Sequence, residues 1–247
     1  VKQLKPQVKD AKGLQVARRL IDTEAQVLYR LGSHPQIPQL LAHFDESNEF
    51  YLAQELIDGH SLEDEFETTP WEINRVIEFL IDVLDTLAFV HENRVIHRDL
   101  KPSNLIRRHS DNRVVLIDFG AVKQAGTQPA TQGYMPNEQL IGQPQLSSDV
   151  YAVGIMGIQA LTGQQPKKLV PHRKTGELDW HIYAHHVNQQ LMAILDTMVR
   201  YTVRDRYPSA KEALVALRSL PAQSCRPVTE YRAAPAVARP AAQTVPV

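Results

Sequence analysis

Apolar and polar residues alternate in the N-terminal part of the chain in a way that predicts a strand, a helix and a pair of strands. Val1–Leu4 has the pattern of the end of a strand. Residues 14 to 31 carry apolar side chains at three- and four-residue spacing, which predicts an amphipathic helix closed by Gly32. Residues 40 to 44 and 50 to 56 are apolar runs separated by a polar turn, which predicts two adjacent strands.

Helical periodicity dominates the rest of the chain. Residues 73 to 91 predict a long amphipathic helix, and residues 149 to 161 are nearly all apolar, as a helix buried on every side requires. Residues 194 to 203 and 210 to 217 predict two further helices. Residues 114 to 117 are apolar and mostly β-branched, and they predict a buried strand between these helical regions.

Composition indicates a globular protein, with 43% hydrophobic and 22% charged residues. The 27 basic and 28 acidic residues balance, so the charge predicts no nucleic-acid partner and no anionic membrane surface. Cys225 is the single cysteine, which excludes disulfides and cysteine-rich metal sites and fits a cytoplasmic location. The longest apolar run, residues 150 to 158, is too short for a membrane segment.

Two segments of unusual composition are interpreted as structural. His181, His185 and His186 have helical spacing that could seat a metal, but no carboxylate or cysteine cluster accompanies them, so packing or solvated histidines are the preferred interpretation. Residues 221 to 247 are rich in proline and alanine without an apolar period, which predicts a disordered linker.

The candidate chemistry lies in residues 97 to 120, HRDLKPSNLIRRHSDNRVVLIDFG. Asp99, Lys101 and Asn104 follow at close spacing, and the predicted strand delivers Asp118 at its end. Phosphoryl transfer needs this set of groups: a carboxylate that accepts a hydroxyl proton, a cation near the moving phosphate and oxygen ligands for Mg²⁺.

HRDLKPSN at 97–104 resembles the catalytic loop of protein kinases, and DFG at 118–120 resembles their magnesium-binding motif. The resemblance implies an α+β, bilobal protein-kinase-like fold. Residues 1 to 56 would form a truncated N-lobe of antiparallel strands plus helix C, residues 57 to 220 a mainly helical C-lobe, and residues 221 to 247 the linker.

The same resemblance implies the roles of individual residues. Asp99 would be the catalytic base and Lys101 would neutralise the transferred phosphoryl group, while Asn104 and Asp118 would bind Mg²⁺ and, through it, ATP. The lysine two positions after Asp99 is the form seen in serine/threonine kinases.

Further nucleotide contacts come from the N-terminal part. The resemblance implies that Lys2 grips the α- and β-phosphates of ATP and pairs with Glu24. Gln54 would be the gatekeeper, and Glu55 and Leu56 would offer backbone groups to adenine.

The resemblance to protein kinases also implies roles for residues that support the site. Asp149 would hold the backbone of the catalytic loop, and Glu138 would pair with Arg206 although Pro-Asn-Glu replaces the family's Ala-Pro-Glu. Thr131 would bridge the catalytic aspartate and lysine, and Thr127 is the candidate phosphorylation site of the activation segment.

No G-x-G-x-x-G loop occurs in the sequence, and there is no initiator methionine or signal peptide. We therefore expect a fragment whose first two strands and glycine-rich loop lie upstream, and which by itself transfers phosphate poorly. The function expected of the whole is that of a bacterial-type, eukaryotic-like serine/threonine kinase that phosphorylates protein substrates in signalling with ATP and Mg²⁺. The alternative is a pseudokinase or scaffold that binds protein partners.

Overall fold

A computed structural model describes residues 1–4, 11–32, 34–46, 49–66, 69–119 and 133–221. Gly120, Thr127 and Thr131 of the expected activation segment lie outside the described residues, and so does nearly all of the expected linker.

The N-terminal sheet contains three antiparallel strands in the order β1-β3-β2. They are β1 (Lys2–Leu4), β2 (Leu40–Glu46) and β3 (Glu49–Gln54). The predicted strands are confirmed, but the last one ends at Gln54 and not at Leu56. Leu56 is 92% exposed, so no buried face extends the strand to that position.

Helix α1 (Ala11–Leu31) packs against this sheet and confirms the predicted amphipathic helix, although it begins three residues earlier. The chain leaves the helix at Gly32, where a Cβ atom would lie 2.8 Å from the Leu28 carbonyl oxygen. The face of α1 that contacts the sheet is apolar and buried: Ala17, Ile21, Ala25, Leu28 and Leu31.

A second antiparallel sheet supports the loops that carry the candidate chemistry. Its order is β4-β5-β6, with β4 (Gly59–Ser61), β5 (Leu105–Arg108) and β6 (Val114–Leu116). Strand β6 confirms the predicted strand before Asp118, whereas β4 and β5 were not predicted as strands. A Cβ atom at Gly59 would lie 2.3 Å from the Arg107 carbonyl oxygen, so the close approach of β4 to β5 requires glycine there.

The helical part consists of α2 (Ile73–Glu92), a short α3 (Asn137–Leu140), α4 (Leu146–Thr162), α5 (Gln189–Met198) and α6 (Ala210–Arg218). Helix α4 is buried along almost its whole length, as its composition predicts, and α2 packs against α4 and α6. The predicted helix at residues 194 to 203 was misplaced. Helix α5 begins earlier because the Asn188 side chain caps it by accepting a hydrogen bond from Leu191 N at 2.8 Å.

A polar network joins the segment after α1 to the helical part. Gln36 Nε2 donates to Asp82 Oδ1 at 3.0 Å and to the Val114 carbonyl oxygen at 2.8 Å, while Val114 N donates to Asp82 Oδ2 at 2.6 Å. Arg113 adds hydrogen bonds to both Asp82 and Gln36. This network connects the N-terminal sheet and α1 with α2 and β6.

None of the helices in the described ranges is long and apolar enough to cross a membrane.

Glu65 is the centre of an ionic cluster that it forms with two arginines and a histidine. Arg107 Nε donates to it at 2.8 Å, Arg75 at 2.7 Å, and His60 Nε2 lies 2.8 Å away. Burial by itself would raise the pKa of Glu65, but the hydrogen bonds and positive charges of its partners, Arg107 foremost, lower the pKa from 4.5 to about 2.

This lowered pKa predicts a specific acid response. The Glu65 carboxylate contributes its full stabilisation above pH 4.5, and the contribution disappears as the pH falls to about 2. We expect Glu65→Gln to lower Tm at pH 6 and to have a much smaller effect near pH 2.5, measured by circular dichroism. Glu72→Gln, at an exposed glutamate before α2, is the control. An equal loss of Tm at both pH values would contradict the assignment.

Candidate active site

Asp149 holds the backbone at the start of the loop formed by residues 97–104. His97 N donates to Asp149 Oδ2 at 2.7 Å, and Arg98 N donates to Asp149 Oδ1 at 2.8 Å. Asp149 is only 1% exposed. Its two oxygens face consecutive amides, and Arg98 adopts a φ of 67°, a left-handed conformation that is costly for a residue other than glycine. The Asp149 carboxylate, which belongs to α4, therefore stabilises the strained backbone of this loop.

His91, at the end of α2, extends this anchor and was not identified from the sequence. Its Nδ1 accepts a hydrogen bond from Ala210 N at 3.1 Å, so Nε2 carries the proton that faces Asp149 Oδ2 at 3.2 Å. The side chains of His91 and Asp149 are almost completely buried. Helices α2, α4 and α6 thus meet behind the catalytic loop.

His97 connects the loop to the chain that follows β6. Burial lowers the pKa of His97, so the ring is neutral at pH 7, and its Nε2–H donates to the Ile117 carbonyl oxygen at 3.1 Å. The ring packs against Phe119, with a centroid distance of 4.7 Å. Ile117 N donates to the Asn104 carbonyl oxygen at 3.0 Å. These contacts place Asp118 next to the loop that carries Asn104.

Asp99, Lys101 and Asn104 form one hydrogen-bonded group. Asn104 Nδ2 donates to the Asp99 backbone carbonyl at 2.7 Å and to Asp99 Oδ2 at 2.9 Å. Lys101 Nζ lies 3.3 Å from the same Oδ2 atom. The Asp99 side chain is 9% exposed and that of Lys101 21%. The Asp99 carboxylate is therefore fixed in orientation and remains next to solvent.

Lys2 brings two distant carboxylates together. Its Nζ lies 3.0 Å from Glu24 Oε1 and 2.6 Å from Asp118 Oδ1. Burial alone would lower the pKa of Lys2, but the two carboxylates raise it above its ordinary value. The ammonium group is therefore charged at neutral pH, in the arrangement that the sequence resemblance implies for Lys2 and Glu24.

Asn104 and Asp118 fit a magnesium ion by the chemistry of their oxygens. An amide oxygen and a carboxylate are hard donors, and Mg²⁺ in proteins commonly takes one or two such ligands together with phosphate oxygens and water. No group of three or more His, Cys, Asp or Glu residues that could hold a metal occurs in the described part of the chain. Asn104 and Asp118 alone would supply two protein ligands, so phosphate oxygens and water would complete the coordination of Mg²⁺.

The proposed adenine-binding residues lie at the end of β3. Glu55 N donates to the Gln39 carbonyl oxygen at 2.8 Å, and Glu55 Oε2 accepts from Gln39 N at 3.2 Å. The amide of Glu55 is thus occupied within the protein.

Glu138 and Arg206 form a buried, bidentate ion pair. Arg206 Nη1 donates to Glu138 Oε1 at 2.6 Å and Nη2 donates to Oε2 at 3.2 Å, while Ser148 Oγ donates to Oε1 at 2.7 Å. The two side chains are 8% and 1% exposed, respectively. Burial would raise the pKa of Glu138, but the hydrogen bonds from Arg206 and Ser148 hold it below its usual value. The pairing expected from the sequence is present despite the changed Pro-Asn-Glu motif.

His181, one of the three histidines with helical spacing, contacts protein instead. Its Nε2 lies 3.0 Å from Asp196, which also accepts a hydrogen bond from the indole of the buried Trp180 at 2.9 Å. This histidine therefore belongs to the packing around α5.

Comparison with known proteins agrees with this geometry. The sequence model of the protein kinase domain matches residues 1–220. Serine/threonine-protein kinase B of Synechocystis sp. is 40% identical over 234 residues, which cover 88% of this chain and 41% of the relative. Serine/threonine-protein kinase PknA of Nostoc sp. is 40% identical over 233 residues, with the same coverage. The chain thus spans less than half of the length of these curated relatives.

The solved structures support the same fold. The kinase domain of Mycobacterium tuberculosis PknI superposes with a TM-score of 0.68 at 22% identity, covering 88% of this chain and 83% of that one. The family match at residues 1–220 covers nearly all of the described residues. The chain belongs to the protein kinase domain family.

Proposed function

We propose that this chain is the catalytic domain of an ATP-dependent protein serine/threonine kinase. The observation that carries the proposal is the hydrogen bond from Ile117 N to the Asn104 carbonyl oxygen, because it places the Lys2–Glu24–Asp118 cluster beside the Asp99–Lys101–Asn104 group. The Lys2 ammonium, which would bind the nucleotide, and Asp99, the proposed base, would thus act from adjacent segments. The names of the relatives support the same activity.

The reaction follows from the positions of these side chains. Asp99 accepts the proton of a substrate hydroxyl as the oxygen forms a bond to the γ-phosphorus of ATP, and the bond from that phosphorus to the bridging oxygen of ADP breaks. Lys101, next to Asp99, offsets negative charge on the transferred group. Asn104 and Asp118 would hold Mg²⁺, which supplies charge neutralisation on the phosphates when bound.

Lys2 would bind the α- and β-phosphates while Glu24 keeps its ammonium in place. Adenine would contact the backbone at Glu55 and Leu56. The N-lobe would comprise residues 1 to 56 and the C-lobe residues 57 to 220, with a linker after them. The proposed location is the cytoplasm, because ATP, the phosphoryl donor, is available there. The kinase would phosphorylate protein substrates of signalling in that compartment.

The acceptor class is serine or threonine. Asp99 lies in the catalytic loop with Lys101 two residues later, and a short hydroxyl side chain reaches this carboxylate when the peptide backbone lies close to the loop. The test is to incubate the natural protein that contains this chain with labelled ATP and Mg²⁺, and to separate the phosphoamino acids. We expect phosphoserine or phosphothreonine; phosphotyrosine as the main product would contradict the acceptor class. ATP binding without any transfer would favour the pseudokinase alternative.

Lys2 provides a second test of nucleotide binding. Lys2→Met keeps a straight side chain but removes the charge between Glu24 and Asp118, so we expect ATP affinity to fall by about tenfold or more, in line with the value of charge-assisted hydrogen bonds. Isothermal titration measures the affinity. Lys211→Met is the matched control, because Lys211 pairs with Glu92 at an exposed surface position at 3.1 Å. Equal ATP affinity in wild type and Lys2→Met would refute the role of Lys2.

A further inference from the structure

Two histidines meet on the second sheet, outside the candidate active site. His60 lies in the edge strand β4 opposite Arg107 of β5, and His109 follows the end of β5. The backbone hydrogen bond from His109 N to the Asp58 carbonyl oxygen, at 2.9 Å, extends the pairing of β4 with β5 by one residue. Residues two apart in a strand point to the same face, so His109 is the diagonal neighbour of His60. The pairing of these strands therefore brings the two imidazoles together.

The two rings face each other through nitrogen atoms. His60 Nδ1 lies 3.5 Å from His109 Nε2, while the ring centroids are 5.6 Å apart. The centroids are farther apart than the nitrogens, so the nitrogen-bearing edges face each other and the rings are not stacked. The side chains of His60 and His109 are 41% and 55% exposed, respectively. A dissolved ion can therefore reach both nitrogens.

A carboxylate at the other nitrogen of each ring determines its tautomer. His60 Nε2 lies 2.8 Å from Glu65 Oε1, and His109 Nδ1 lies 3.2 Å from Asp58 Oδ1. An ionised carboxylate only accepts hydrogen bonds, so each of these nitrogens carries a proton. In the neutral rings, His60 Nδ1 and His109 Nε2 are then unprotonated, and their lone pairs face each other. Two facing lone pairs repel unless a shared proton or a metal ion lies between them.

The separation of the two nitrogens fits a tetrahedral zinc ion. Zinc binds imidazole nitrogen at about 2.0–2.1 Å, so two nitrogens of one tetrahedral ion are about 3.4 Å apart. Ligands at right angles, as in square-planar or octahedral ions, would be about 3.0 Å apart. The observed 3.5 Å is closer to the tetrahedral value. Histidines that bind metals usually donate the other ring N–H to an acceptor such as a carboxylate, which fixes the ring and makes the coordinating nitrogen more basic.

The charges around the two histidines are compatible with a cation. Glu65 and Asp58 place a carboxylate next to each ring. Arg107 and Arg75 bring two positive charges to the same cluster, but both guanidinium groups hydrogen-bond to Glu65, and Arg107 also donates to the Asn112 carbonyl oxygen. Two carboxylates therefore offset two arginines around the pair of imidazoles.

We propose that His60 and His109 form a two-histidine zinc site. His60 Nδ1 and His109 Nε2 would coordinate the ion. Water would occupy the other two positions, since the described residues contain no group of three or more His, Cys, Asp or Glu that could hold a metal.

The proposed zinc site is separate from the nucleotide site. Asn104 precedes β5 and His109 follows it, so about 15 Å of extended chain lies between the zinc ion and the candidate active site. Bound zinc would connect β4 to the turn after β5. The inference does not depend on the proposed kinase function.

The experiment is a calorimetric titration of the natural protein that contains this chain with Zn²⁺, in excess Mg²⁺, which occupies sites built from oxygen ligands. We expect His60→Ala and His109→Ala each to lower the Zn²⁺ affinity by more than about tenfold, since loss of a carboxylate partner alone costs about 10–100-fold. The double variant should bind no more weakly than either single variant, because one imidazole cannot chelate the ion. Asp58→Asn, which weakens the acceptor at His109 Nδ1, should lower the affinity by about tenfold.

His43→Ala is the matched control. The His43 side chain is 48% exposed and lies 4.0 Å from Asp22, so it is another accessible histidine beside a carboxylate. We expect this variant to bind Zn²⁺ as the wild type does. Thermal unfolding without zinc verifies that each variant is folded, and added Zn²⁺ should raise the Tm of wild type and His43→Ala but not that of His109→Ala. His109→Ala is the decisive variant, because its side chain is the more exposed of the two ligands.

Nitrogen NMR of the histidine rings identifies the coordinating atoms. Zn²⁺ should shift the signals of His60 Nδ1 and His109 Nε2 and leave those of His43 unchanged. Equal Zn²⁺ affinity in wild type and His109→Ala would overturn the site. Ring signals of His60 and His109 that respond to pH but not to Zn²⁺ would also overturn it, because a shared proton would then hold the pair. Zinc binding at these two nitrogens in a protein that transfers no phosphate would support the site and leave only the proposed function in error.

Discussion

Replacement of Asp99 with asparagine is expected to lower kcat for phosphoryl transfer by about a thousandfold, the scale at which a positioned general base contributes. Asparagine keeps the size of the side chain but cannot accept the hydroxyl proton. Asn104 Nδ2 retains its bond to the backbone carbonyl of residue 99, so the loop keeps its shape. ATP affinity should remain nearly unchanged, because Asp99 is not one of the proposed magnesium ligands. Single-turnover kinetics and nucleotide titration measure the two quantities separately.

Two further variants make this result specific. Asp118→Asn should also lose activity, but with weaker Mg²⁺-dependent ATP binding, since this side chain is a proposed metal ligand. Asp111→Asn should leave both quantities unchanged, because Asp111 is a surface residue that pairs with Arg108. Comparable activity in wild type and Asp99→Asn would rule out Asp99 as the base.

The largest loss of stability is expected from Arg206→Met. This change removes the bidentate partner of Glu138 and leaves a carboxylate in a site where its side chain is 8% exposed. Breaking a buried ion pair in this way costs about 3–5 kcal/mol of unfolding free energy. The positive charge of Arg206 also lies 4.8 Å above the Tyr151 ring, a contact that the variant loses. Urea unfolding followed by fluorescence gives the free energy.

The double variant Glu138→Leu/Arg206→Met should recover part of this loss, because it removes both charges from the interior. Arg218→Met, which breaks the exposed pair with Asp85, should cost less than about 1 kcal/mol. If Arg206→Met lowers the free energy of unfolding no more than Arg218→Met does, the buried pair contributes little to stability.

The candidate site could be predicted from sequence where its residues are close together in the chain. Asp99, Lys101, Asn104 and Asp118 carry a combination of groups with one evident chemistry, and the motif spacing makes the resemblance specific. Lys2 and Glu24 were predicted only from the resemblance, and the structure places their charged groups 3.0 Å apart. The longer helices followed from periodicity because their buried faces repeat over many residues.

Other features depend on partners that are distant in sequence. His91 occupies an ordinary position at the end of an amphipathic helix, and only the approach of Ala210 and Asp149 gives it two polar partners. Gln159 lies in the apolar part of α4, and the hydrogen bond that it accepts from the Tyr134 hydroxyl is defined only by the folded chain. Strands β4 and β5 contain three and four residues, too few for an alternating pattern, and pairing in the folded chain defines them.

The anchoring of His97 and Arg98 on Asp149 has a consequence for hydrogen exchange. Both amides donate hydrogen bonds to the carboxylate of Asp149, which is 1% exposed and lies where α4 packs against α2 and α6. Exchange with deuterium at these two amides therefore requires separation of the helices, an opening whose free energy approaches that of global unfolding. We therefore expect these two amides to exchange about as slowly as those of the packed helices, although the Arg98 side chain reaches solvent. On heating, loss of the reactive geometry should coincide with melting of the helical part and not precede it.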